Sequence, residues 1–548
     1  MITQVFIFNN ASRAANYGIG TYVKQLSDGL AVLSGFKVSF VEMYADTKEF
    51  TITEDERGMY HYRIPALSSG IESEVYCRSI FYFIARNIEV EESDRIVFQF
   101  NYFQHRPLAS LLKGQYPHSR IILTVHYLNW CFELKGNVVR MRKIIAKGHE
   151  AKDDTERRVV SSFADEKTFL HLADEVLVLS KRAKAILIND YEVSEDKAHL
   201  VFNGMGNCVC CRTSSHNSKK CQKDVQRIIL YVGRLDEIKG LKYLMNAFEE
   251  IANKHPDTHL VIVGDGDFQP YLVQGRKLKE RVAFLGKMQN DEVDDVYKSA
   301  YIGVMPSFHE QCSYTAIEMM RHSIPIVGTD STGLAEMLDA TPQLRVHIDE
   351  DSFNERTFVT QIASRLDLLL SDENAYREAS DAVCRLYEKR YKISSMTKGI
   401  QQVVLSSFNR MNYTVSPDYY KHIDSRMMQL INQRPDIDTE FFGMSGIGVY
   451  LWWRIKSLAN NTKEEYQQTM LQEYLIYYID WLGDAALLSS LPEEMIVTLM
   501  DMYSEGFYRT KVRAILEGLQ TGTENENILL PSEDVIINNS LRICNCKI

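Results

Sequence analysis

Short apolar runs alternate along this chain with stretches whose apolar residues recur at helical spacing, and the alternation happens twice. Val5–Phe8 is followed by a helical pattern through Tyr22, Val23, Leu26 and Leu30. Lys37–Val41, Ile96–Phe100, Ile121–Val125 and Val176–Leu179 are further buried runs, separated by helical or loop segments. Strands alternating with helices predict a parallel sheet covered on both faces, since parallel neighbours need a long crossover and a helix supplies it. A first α/β domain is expected over residues 1–205. The second series has strands at Ile228–Val232, Leu260–Val263, Val282–Leu285, Ile302–Met305 and Ile324–Val327, with helices near Leu241–Ala252, Asp291–Ala300, Tyr314–Arg321 and Leu334–Leu338. It predicts a second doubly wound domain over 227–411, its last part a helical segment. The expected fold class is therefore α/β, with two Rossmann-like domains facing each other across a cleft. Ligands of such sheets sit at the carboxyl ends of the strands. Residues 206–226, polar and irregular, read as a linker. From 412 to 548, Tyr, Leu, Trp and Met at helical spacing predict an all-α appendage.

The formal charge of −11, with no basic tail, argues against a nucleic-acid partner, because neutralising phosphates needs clustered Lys and Arg. The first residues, MITQVFIFNN, lack a basic export signal and read as a strand. No apolar run reaches the roughly 18 residues of a spanning helix; the longest, around Tyr474–Leu487, is broken by Asp480 and Asp484. A cytoplasmic protein with reduced cysteines is expected. The segment KGNVVRMRKIIAKGHEAKDDTERR, from Lys135, mixes cations with Val139, Met141, Ile144 and Ile145. It reads either as a peripheral contact at the inner membrane face or with a peptide acceptor, or as a solvated, salt-bridged helix, which the acids that follow favour.

The strongest chemical signal is PSFHEQCSYTAIEMM, Pro306 to Met320. Glu310 falls in a loop after a buried strand and Glu318 in the helix that follows, with Ser313 placed to cap that helix. The loop Gln311–Thr315 presents backbone N–H groups to the cleft, as suits a phosphate, and a carboxylate on each side suits sugar hydroxyls. Alone, the pair reads as a local cap and a solvated helix residue. It is not alone. Gly233 and Arg234 follow the strand IILYV, and Lys239 and Gly240 precede the next helix. Two cations at a strand-to-helix turn are what a diphosphate leaving group needs, since they neutralise its developing charge.

The order GR, KG, GDG (Gly264–Gly266), FLG (Phe284–Gly286) and the two glutamates, over about residues 228–340, resembles glycosyltransferase family 4, which has the GT-B fold. More loosely, NYGIGTYVKQLSDGLAVLSGFKVSFV, LTVHY, ADEVLVLS and FNG resemble landmarks of its first domain. The resemblance implies a hexosyltransferase-like enzyme that uses a nucleotide-diphosphate sugar, needs no metal and retains anomeric configuration. It implies that Arg234 and Lys239 bind the diphosphate, Glu318 the ribose and Glu310 the donor sugar. The amides of Cys312, Ser313, Tyr314 and Thr315 would hold phosphates and sugar. Phe284–Lys287 would line the base pocket, and Gly18 and Gly20 would allow close approach of the first loop. His126 ends a buried strand where the family places a histidine near the reacting sugar; it reads equally as a core or cap histidine. The family's Gly-Phe-Gly-like stretch after the first glutamate is replaced by Gln311-Cys312-Ser313-Tyr314, which bears on donor-sugar preference.

Cys208, Cys210, Cys211 and Cys221 lack a recognised zinc spacing, so a flexible linker is the expectation there. The segment FFGMSGIGVYLWWRIK, Phe441 to Lys456, resembles the glycine-rich turns of lanthionine-cyclase-like proteins, although a helix-packing turn with a buried Trp452 or Trp453 fits it better. The acceptor is left open among glycan, lipid-linked and peptide classes. Rival readings are a catalytically inactive GT-B scaffold, a nucleotide-sugar epimerase and a phosphorylase. Against the scaffold, Arg234, Lys239, Glu310 and Glu318 are all present.

Overall fold

All eight residues of the first strand, β1 (Thr3–Asn10), are buried, as a central strand covered on both faces must be. A computed structural model describes residues 2–11, 18–66, 73–88, 94–116, 119–148, 153–206, 227–350 and 352–408. The linker cysteines and the segment 412–548 lie outside the described residues, and with them the zinc, lanthionine-cyclase and appendage readings.

After β1 come α1 (Gly18–Ala31), β2 (Phe36–Ala45), the strands β3 (Thr51–Glu54) and β4 (Tyr60–Pro65), α2 (Ser73–Asn87), β5 (Arg95–Phe100), α3 (Arg106–Gln115) and β6 (Arg120–Val125). Then follow α4 (Trp130–Glu133), α5 (Val138–Lys147), α6 (Asp154–Leu172), β7 (Glu175–Val178), α7 (Lys181–Asn189) and β8 (Ala198–Leu200). The sheet order is β3-β4-β2-β1-β5-β6-β7-β8. All pairs are parallel except β3 with β4. That hairpin has no counterpart in the sequence reading: β3, TITE, is exposed at all four residues and carries no buried pattern.

The second sheet is built from β9 (Arg227–Val232), α8 (Leu241–Ala252), β10 (Thr258–Val263), α9 (Gln269–Gln274), β11 (Val282–Gly286), α10 (Asn290–Ser299), β12 (Ala300–Met305), α11 (Tyr314–Arg321), β13 (Ile326–Thr329), α12 (Leu334–Met337) and β14 (Arg345–Val346). Its order, β11-β10-β9-β12-β13-β14, is parallel throughout. β13 begins after Pro325, which has no N–H to give a ladder, so the strand expected from Ile324 starts later. The chain order reverses between β9 and β12, which makes the space beyond their carboxyl ends the switch point where such sheets bind ligands.

The helices α13 (Glu355–Ser371), α14 (Glu373–Arg390) and α15 (Ile393–Ser407) complete the described chain. The last of them returns to the first domain and packs on α1. There Arg120 donates to the Ser407 carbonyl at 2.9 Å and, with Arg95, stacks on the Phe408 ring. One buried cluster runs from Val5, Ile7 and Leu26 through Met396, Ile400 and Val404 to Leu230 and Ile317, and so joins the two domains. Among the described residues no helix is long and apolar enough to cross a membrane.

Candidate functional site

Two glycines shape the loops at the switch point. Gly264, after β10, lies so close to β9 that an added Cβ would stand 1.8 Å from the Gly233 carbonyl oxygen. Gly240 has φ 70°, and a Cβ there would stand 2.1 Å from the Pro306 carbonyl oxygen. Only a residue without a side chain fits such an approach. It presses the 3₁₀ turn Glu237–Lys239 against the end of β12, where the Phe308 N–H donates to the Ile238 carbonyl at 2.8 Å.

This contact brings Lys239 to Glu310. The Lys239 ammonium donates to Glu310 Oε1 at 2.6 Å, and both side chains are largely buried. The Glu310 loop is fixed from the other side as well: its N–H donates to Thr332 Oγ1 at 3.0 Å, and its carbonyl accepts the Gly333 N–H at 2.7 Å and the Thr332 hydroxyl. Glu310 is thus no local cap; its carboxylate is held forward on a cation. Arg234 takes a different partner, Asp236, at 3.0 Å.

Glu318 lies on α11 with its carboxyl largely withdrawn from solvent. It accepts the Tyr297 hydroxyl of α10 at 2.7 Å. Burial pushes its pKa up to about 7, against the pull of that hydrogen bond. Ser313 stands at the N-cap position of α11, but its hydroxyl bonds no first-turn amide, so the side-chain cap expected from sequence does not form. Its backbone is extended there (φ −70°, ψ 124°), so the position alone starts the helix. Cys312 and Tyr314 are buried, and the Cys312 carbonyl accepts from Asn203 Nδ2 of the first domain at 2.6 Å. Burial raises the Cys312 thiol to about 12, so it stays protonated at neutral pH. Thr315 follows in the first turn of α11. Phe284, on β11, sets its ring edge-on to Phe268 at 5.8 Å.

Across the cleft, His126 follows the end of β6. Its Nε2 lies 3.0 Å from Asn101 Oδ1, and Asn101 Nδ2 donates to the Phe8 carbonyl at 3.0 Å. The second bond fixes the amide, so the first requires the proton on Nε2 and leaves Nδ1 as an acceptor. Burial lowers the imidazole pKa to about 3, which keeps the ring neutral. It rests edge-to-face on Tyr22, whose hydroxyl is 3.0 Å from Thr124 Oγ1. Gly18 and Gly20 fall in the first turn of α1. Among the described residues a Cβ on Gly18 would meet nothing within 4 Å.

Several residues of this arrangement carry no sequence signal. Tyr297, Thr332 and Asn101 reach the site only through pairing of distant elements. His309 is buried beside Glu310, and among the described residues neither ring nitrogen has a hydrogen-bond partner. Among the described residues no group of three or more His, Cys, Asp or Glu is arranged to hold a metal.

Residues 226–371 match the family described as glycosyl transferases group 1. An uncharacterized glycosyltransferase of Methanocaldococcus jannaschii is 31% identical over 173 residues, 30% of this chain and 44% of that protein. The alpha-D-kanosaminyltransferase of Streptomyces kanamyceticus is 26% identical over 174 residues, 30% of this chain and 45% of that protein. The chain thus spans less than half the length of these two relatives. Among solved structures, sucrose-phosphate synthase from Thermosynechococcus elongatus superposes with a TM-score of 0.56 at 20% identity, over 74% of this chain and 99% of that one. Anabaena HepE in complex with UDP superposes with a TM-score of 0.51 at 13% identity, over 74% and 100%. The segment similar to the group 1 glycosyl transferases, residues 226–371, lies in the second of two Rossmann-like domains, which together have the GT-B fold.

Proposed function

We propose that the chain is a retaining glycosyltransferase that moves a sugar from a nucleotide-diphosphate sugar to a glycan, lipid-linked or peptide acceptor, without a metal. The observation that carries this is the Lys239–Glu310 pair at the switch point of the second sheet, with Arg234 beyond the neighbouring strand. A cation held in a largely buried loop stabilises a leaving diphosphate more than one in water does, because the surrounding dielectric is lower. A carboxylate beside it accepts hydrogen bonds from sugar hydroxyls. Glu318, with Tyr297 behind it, suits the ribose hydroxyls. His126, neutral and with Nδ1 free to accept, suits orientation of the sugar and not proton donation. The UDP in the HepE structure, which shares this fold, supports a nucleotide ligand. The proposed setting is the cytoplasm, with a peripheral contact at the inner membrane face.

The test is turnover of a panel of UDP-, GDP- and ADP-sugars, read as nucleotide release with and without mixed glycan, lipid and peptide acceptors. Lys239→Ala is expected to lower the rate about 10²- to 10³-fold, as loss of one preorganised charge does. An unchanged rate in that variant would overturn the assignment. Proton NMR of the product anomer decides between retention and inversion.

A further inference from the structure

We infer that two carboxylates of the second domain, Glu336 and Glu350, form a latch that holds the cleft shut by completing the N-terminal caps of two first-domain helices. The inference rests on the two-domain arrangement and not on the donor reading.

Helix starts leave four N–H groups without intrahelical partners. In α7 the N-cap Ser180 side chain accepts only the third of these, from Ala183, at 3.1 Å. The first two go across the domain boundary: Lys181 N–H donates to Glu336 Oε2 at 3.0 Å and Arg182 N–H to Glu336 Oε1 at 2.8 Å. α5 repeats the division of labour. Its N-cap Asn137 side chain accepts the Arg140 N–H at 2.7 Å, while the Val138 N–H donates to Glu350 Oε2 at 3.2 Å. Glu350 also pairs through Oε1 with the Arg182 guanidinium, and its carbonyl accepts from Asn137 Nδ2. Each helix thus supplies part of its own cap, and the other domain supplies the rest as a negative charge at the positive end of the helix dipole. One residue, Arg182, ties the two carboxylate sites together, its N–H on Glu336 and its guanidinium on Glu350.

The seam between them is closed but not filled. Trp130, Arg182 and Ile186 of the first domain and His309, Gln311 and Thr332 of the second enclose a space no larger than a single water. Gln311 Oε1 and both His309 ring nitrogens have no hydrogen-bond partner among the described residues. Such polar groups are better served by solvent, so this part of the boundary favours opening while the two carboxylates oppose it. A boundary balanced in this way suits one that opens and closes in each cycle. It gives the Glu310 loop, which His309 and Gln311 flank, a water-poor closed state and a solvated open one.

Hydrogen exchange of the full chain tests this without any substrate. In the double variant Glu336→Ala, Glu350→Ala, amides at the starts of α5 and α7 should exchange faster, and so should Tyr127–Cys131 and Ser307–Gln311 on the two cleft walls. The expected rise is about tenfold, the usual size of a coupling between sites. The radius of gyration from solution scattering should increase as well. Faster exchange confined to Lys181–Ala183 and Val138–Arg140 would show local caps only and overturn the latch; so would no change. Should the double variant fail to fold, Glu336→Gln, which keeps one acceptor oxygen, decides by the same readouts. Lys135→Ala, which breaks the exposed Lys135–Glu237 pair at the same boundary, is expected to change neither wall. If nucleotide-sugar turnover is absent while the walls exchange as expected, the activity reading fails and the latch stands.

Discussion

Burial acts in the same direction on one carboxyl in each domain. Glu166, on α6, is fully buried and accepts the Asn129 N–H at 2.6 Å and the Tyr191 hydroxyl at 2.5 Å. Desolvation still dominates and raises its pKa to about 7, as it does for Glu318. An acid whose pKa is higher in the folded chain than in the unfolded one binds its proton more tightly when folded. Its stabilising contribution is therefore complete below about pH 4.5, its ordinary value, and is lost as pH rises through about 7. Glu166→Gln is expected to flatten the fall in melting temperature between these limits, measured in a calorimeter; a profile parallel to the wild type would show that Glu166 ionises normally. The motif residues Arg234, Lys239, Glu310 and Glu318 were legible because each sits at a fixed offset from a strand. Their partners were not. Nothing in the sequence links Tyr297 to Glu318, or Asn101 to His126, because those contacts depend on how α10 packs on α11 and how β5 lies beside β6.

At the scale of elements, position follows from close approach. The turn that carries Lys239 reaches β12 only because Gly240 has no side chain. Gly240→Ala would add left-handed strain and a clash with the Pro306 carbonyl, a loss of about 2–5 kcal/mol. The expected result is a lower denaturation midpoint in urea with an unchanged slope, together with a weakened Lys239 site. Wild-type stability in this variant would mean that the turn can shift away from β12. Most strands and helices of both sheets follow from periodicity, since buried parallel strands read as continuous apolar runs. The exceptions have physical reasons. The exposed hairpin of β3 and β4 has too little burial in β3 to leave a pattern, and β14 is only two residues long. The side-chain cap expected of Ser313 does not form, because a capping residue type at the right offset does not fix where its hydroxyl points.

At the scale of the whole molecule, two sheets present their switch-point ends to one cleft, and α15 carries the chain back to the first domain to tie the halves together. The alternation of strands and helices foretold this pair of domains. The contacts that set their separation come from residues far apart in the chain, and no local pattern announces them. The central claim is that the Lys239–Glu310 site receives a nucleotide diphosphate. The most direct measurement is a thermal-shift titration of the full chain with UDP, GDP and ADP, run beside Lys239→Ala. A ligand that binds only the folded state raises the melting temperature with concentration. A concentration-dependent rise with one of the three nucleotides, lost in Lys239→Ala, is expected. A rise that survives in the variant, or no rise with any of them, would contradict the claim.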